Sequence, residues 1–141
     1  MDDVRPSQWL ILISGALLFA FSFMEVFKDS DNAWKDIGTL TMPAIFGLIA
    51  AIATAATVFG KAKLPDDVLT FSFAQILVVL AFTSVLIEIG AVGMGLFSDV
   101  FDAAAGAWLS ALAAIGLLMG TVMEQEVGPT RAAASTPPSP F

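Results

Sequence analysis

Four long apolar runs separated by short polar stretches set the pattern of this chain: Trp9 to Phe27, Ile37 to Gly60, Val68 to Phe97 and Ala103 to Met123. About 20 apolar residues suffice for a helix to cross a bilayer. The pattern therefore predicts an all-α membrane protein with four transmembrane helices in a compact bundle, over about residues 9–27, 37–60, 68–97 and 103–123. These helices fill a transmembrane domain over 1–127 and leave almost nothing for a soluble one. The loop "KAKLPDD" is short enough to make the second and third helices antiparallel neighbours. Pro65 suits that turn, and Asp66 or Asp67 is placed to cap the third helix. Pro43 falls near the start of its run, where a missing N–H is tolerated. From Gly128 the pattern changes to "GPTRAAASTPPSPF". Small residues and prolines have no core to join, so 128–141 reads as a disordered Pro/Ala-rich tail.

Composition agrees with the pattern. Hydrophobic residues make up 57% of the 141, and mean hydropathy is +0.86, against roughly 45–50% apolar usage in soluble domains. The first run resembles a secretory signal in position only. Its flank "MDDVRPSQ" is acidic, the run is long and no small-residue cleavage site follows, so it reads as a retained helix.

Orientation follows from the basic residues. Arg5, Lys61, Lys63 and Arg131 fall on the side shared by the N-terminus, the second loop and the tail, and Lys28 and Lys35 on the other. The excess predicts both termini in the cytoplasm. The opposite face then carries "EVFKDSDNAWKD" and "SDVFD", an acidic surface with Trp34 at its membrane boundary. Trp9 and Trp108 also fall near predicted boundaries, where indole rings anchor helices at the headgroup level.

The residue inventory narrows the chemistry. Cysteine, histidine and tyrosine are absent, and the net charge is −7. Disulfides, thiolate nucleophiles, imidazole bases and His-based metal or haem ligation are thereby excluded, and nucleic acid is a poor electrostatic match. No Gly-rich phosphate loop, nucleophile elbow or oxygen-ligand loop of EF-hand spacing is present. The reading is of a protein that is not an enzyme and carries no cofactor.

Small residues recur at helical spacing. Gly47, Ala51 and Ala55 share a stripe in the second run, and Gly106, Ser110, Gly116 and Gly120 recur along the fourth. In lipid, helices meet where small residues let their backbones approach. These stripes predict packing within the bundle, with contact to another protein chain as the alternative.

One position breaks the apolar pattern. Glu88, within "TSVLIEIGAVGMG", stands among Val, Leu, Ile and Gly with no partner beside it in the sequence. If its run is centred in the bilayer, the carboxylate lies ~8 Å from the midplane and ~7 Å inside the outer boundary. A carboxylate at that depth is costly and marks a candidate functional position. Three readings stand: an inter-helix contact, with Lys28 or a Ser or Thr hydroxyl as partner; a proton or cation site; or a residue near the interface. Gln75 lies on a nearly opposite face of the same helix at about 100° per residue, so the two do not build a polar path together.

The end of the first helix, "SGALLFAFSF" (Ser14 to Phe23), followed by Asn32-Ala33-Trp34, resembles small four-helix membrane proteins of actinobacteria in which a Ser-Phe helix end precedes an outer Asn-Ala-Trp. The likeness covers the first third of the chain and departs at Met24-Glu25-Val26, where those proteins tend to continue Leu-Pro-Trp. It implies a bacterial plasma membrane and no catalytic residues. A similarity between "NAW" and "GAW" (Gly106 to Trp108) is read as chance. Two function classes follow. The chain is expected to be a non-catalytic accessory, assembly or scaffold subunit that binds a larger membrane protein, or else a small oligomeric transport or ion-handling protein that uses Glu88 as a protonatable site.

Overall fold

The computed structural model describes residues 4–29, 32–35, 38–63, 67–68, 71–98 and 102–135. Four helices dominate it: α1 (Pro6–Phe21), α2 (Thr41–Val58) entered through a 3-10 turn at Gly38–Leu40, α3 (Phe73–Phe97) and α4 (Ala105–Ser135). Three are long and apolar enough to cross a membrane: Gly38–Val58, Phe73–Phe97 and Ala105–Val127. α1 is apolar but has only 16 residues, a rise of ~24 Å against a ~30 Å hydrocarbon core.

The helices pack in a ring. α1 lies against α2 and α4, and α3 closes the ring against the same two, with the α2–α3 seam the loosest. Within the ring the core separates into two apolar layers. One, toward Arg5, contains Ile11, Leu18, Ala50, Ala81 and Leu117. The other, toward Trp34, contains Val26, Phe27, Leu40, Val92 and Ala107. Ala33 and Ala107, the middle residues of "NAW" and "GAW", are both buried in the second layer.

Helix boundaries differ from the hydropathy runs where polar side chains intervene. α1 stops at Phe21 instead of Phe27: the chain turns at Ser22, whose hydroxyl donates to the Phe19 carbonyl at 2.6 Å. Glu25 then bridges Asn32, and Phe27 bridges Ala103 of the last loop. α3 starts at Phe73, not Val68, and its cap is Ser72 in place of Asp66 or Asp67. Asp67–Val68 instead pair antiparallel with Phe71–Ser72 (β1 and β2). The Ser72 hydroxyl accepts from the Gln75 N–H, and the Gln75 Oε1 accepts from the Ser72 N–H at 2.9 Å, a reciprocal capping box. α4 continues through Gly128 to Ser135, so the helix takes in the first residues assigned to the tail. The Ala-rich segment there favours helix intrinsically. Residues 136–141 lie outside the described ones.

Candidate functional site

The small-residue stripes are filled by the chain's own helices. A Cβ on Gly15 of α1 would meet the Gly47 carbonyl and, at 2.9 Å, the Ala51 Cβ of α2. On α4, a Cβ on Gly116 would lie 2.6 Å from the Ser14 Oγ, and one on Gly120 2.9 Å from the Ile11 Cγ1. Gly106 presses on the Glu25 carbonyl of the loop, and Ser110 is buried nearby. Ala55, farther along α2, is half-buried. These contacts assign Gly47, Ala51, Gly106, Gly116 and Gly120 to packing within the chain. Gly90 and Gly93 of α3 differ, having no atom within 4 Å of an added Cβ.

Glu88 is 5% exposed. Along α3 it falls between Val85 of one apolar layer and Ala91 and Val92 of the other. Among the described residues its carboxylate has no hydrogen bond and no ion pair. Lys28, considered above as its partner, is held elsewhere: its ammonium lies 3.3 Å from Asp102 Oδ2, and its backbone N–H donates to the Asp102 carbonyl at 2.9 Å. The reason is local, since the chain reverses after Ser22 and carries Lys28 onto the loop before α4. Gln75, the third polar candidate, is exposed and occupied by the α3 cap. Glu88, Gln75 and Lys28 therefore form three separate environments.

Two clusters escaped the reading of the sequence. At the C-terminal end of α1, the separated Ser-Phe and Asn-Ala-Trp pieces fold onto each other. The Trp34 indole N–H donates to the Ser22 Oγ at 2.8 Å, and the Asn32 Oδ1 accepts from the Trp34 backbone N–H at 3.1 Å. The Ala33 N–H reaches the Ser22 carbonyl at 3.3 Å. Phe23 stacks on Trp34 with centroids 5.8 Å apart, and Phe19 meets both rings edge-on. Phe23 and Trp34 nevertheless remain 54% and 42% exposed. Both motifs are visible in the sequence, but their contact depends on a turn that hydropathy does not reveal.

At the opposite end all four helices border a half-open cavity of about 370 Å³, lined by residues that include Arg5, Gln8, Thr54, Thr57, Leu77, Thr121 and Glu124. Glu124 gathers three partners from the start of α1. Arg5 forms an ion pair with it, the Ser7 hydroxyl donates to it at 2.7 Å and the Gln8 amide at 3.4 Å. Arg5 and Glu124 are 119 residues apart in the chain, so no spacing argument connects them. Among the described residues no group of three or more acidic side chains is placed to hold a metal ion.

A ring of apolar helices with polar clusters at its two ends is the architecture of an integral membrane protein, and three of the helices have the length to span a bilayer. No protein-family model, curated protein or solved structure matches the chain.

Proposed function

We propose that the chain is a non-catalytic accessory or scaffold subunit of a larger complex in a bacterial plasma membrane, with both termini cytoplasmic. The observation that carries this reading is the Ser22–Phe23–Trp34 arrangement. Its rings are fixed by hydrogen bonds and stacking, yet about half of each ring residue faces outward. A partner docking there meets side chains whose freedom is already lost, which lowers the entropic cost of association. The small-residue stripes are occupied internally, and so the outer loop becomes the contact surface. Purification in mild detergent followed by mass spectrometry is the test. The wild type should retain a stoichiometric larger membrane protein, and Trp34→Ala should lose it while changing stability by only about 1 kcal/mol. A pure homo-oligomer, or equal retention by the variant, would overturn the reading.

A second reading rests on Glu88, a residue 5% exposed whose carboxylate has no hydrogen bond or ion pair among the described residues. On this view the chain is a small oligomeric transport or ion-handling protein and Glu88 is its exchangeable site. Glu88→Gln preserves shape but cannot exchange a proton. It should abolish pH-dependent cation flux in reconstituted vesicles and leave the melting temperature nearly unchanged. Wild-type vesicles without flux would remove this reading.

A further inference from the structure

The cavity at the Arg5 end has a composition that neither reading of the function uses. It lies where all four helices meet, beside the loosest seam of the ring, between the end of α2 and the start of α3. Its volume of about 370 Å³ falls within the range of small-ligand pockets. Its lining is divided. Leu77, Phe73 and Ala53 supply apolar wall, whereas Arg5 and Glu124 supply one charge of each sign.

Charge and hydrogen-bonding capacity select the ligand. A head of a single charge would be attracted by one member of the Arg5–Glu124 pair and repelled by the other. A zwitterion exchanges that one ion pair for two, its anionic group on the guanidinium and its cationic group on the carboxylate. Thr57 refines the choice. The Thr57 hydroxyl, half-buried at the cavity, donates to the Thr54 carbonyl at 2.8 Å, so its free lone pairs are acceptors. Acceptors beside a carboxylate favour a cation that carries N–H donors over a quaternary one. The apolar wall and the seam next to it accommodate the start of a hydrocarbon chain.

We propose that this cavity binds the head of a zwitterionic phospholipid with a primary ammonium, of the phosphatidylethanolamine type, drawn from the leaflet at the Arg5 end. The phosphate meets Arg5, the ammonium meets Glu124 and the Thr57 oxygen, and the proximal part of an acyl chain lies along Leu77 and Phe73. The site is independent of the partner surface at Trp34 and of Glu88.

The full chain, purified in detergent and exchanged into equimolar mixtures of dioleoyl phosphatidylethanolamine, phosphatidylcholine and phosphatidylglycerol, provides the test by native mass spectrometry. One retained ethanolamine lipid is expected, preferred over the choline lipid by about tenfold, about 1.4 kcal/mol. Glu124→Gln should erase the preference between ethanolamine and choline heads. Should that variant fail to fold, Ala53→Leu narrows the cavity without touching the ion pair and should lose the retained lipid at unchanged melting temperature. Water-soluble glycerophosphoethanolamine separates the two sources of the same head chemistry: it should raise the melting temperature far less than the lipid does. Equal retention of the three lipids, retention undiminished in Ala53→Leu, or stabilisation by the soluble head equal to that by the lipid would each overturn the proposal.

Discussion

Gly15 and Gly90 are both glycines within apolar helices, and their surroundings make them opposites. Gly15 lies where α1 crosses α2, so that any side chain there runs into the Gly47 carbonyl, whereas Gly90 faces open space. Gly15→Ala should destabilise the purified protein by about 1–3 kcal/mol through overpacking. Gly90→Ala should be neutral or stabilise by up to about 1 kcal/mol, because alanine is the better helix former. Melting temperatures in one detergent check both, and a tolerated Gly15→Ala would show that the crossing is wider than described. Residue identity alone does not distinguish these positions, since what differs is the neighbour brought by another helix. Glu88 was conspicuous in the sequence for a different reason: an acid inside an apolar run stands out without any knowledge of the fold. Its surroundings were not legible, and Lys28 was drawn away by the turn after Ser22.

Among the elements, existence was legible and ends were not. A run of apolar residues specifies that an apolar helix forms, but where the helix stops depends on a few hydrogen bonds. α3 illustrates this. Hydropathy carries the run back to Val68, while Ser72 and Gln75 satisfy the first N–H groups five residues later. Ser-x-x-Gln is a known capping signature and was available in the sequence, though the aspartates nearer the loop drew the assignment. Ser72→Ala should cost about 1 kcal/mol of stability, the ordinary value of a lost N-cap, and Asp67→Ala within about 0.5 kcal/mol. Thermal unfolding of the two variants discriminates the caps, with a larger loss in Asp67→Ala pointing to the aspartate. α1 is the more consequential case. The Ser22 hydroxyl stands at the end of that helix and also receives the Trp34 indole, so one side chain ties the helix end to the aromatic cluster.

For the molecule as a whole, charge asymmetry leads to a prediction about sidedness. Arg5 shares its end of the ring with the close of α2, which leads to Lys61 and Lys63, and Lys28 and Lys35 lie at the Trp34 end. With the more basic end in the cytoplasm, Ser30→Cys in this cysteine-free chain should react with an impermeant thiol reagent in intact cells, and Ala62→Cys should be protected. The reverse pattern of labelling would invert the topology. The membrane setting, the helical class and the candidate carboxylate were properties of the sequence by itself, because hydropathy acts residue by residue and a bilayer imposes a length on each apolar run. The Arg5–Glu124 cluster, the mixed cavity and the joining of Ser22 to Trp34 were decided only by tertiary structure. Each depends on which helices become neighbours, and that choice follows from close contacts such as Gly15 on Gly47, whose partners are far apart in the chain: a small-residue stripe shows that a helix packs closely but not against which neighbour.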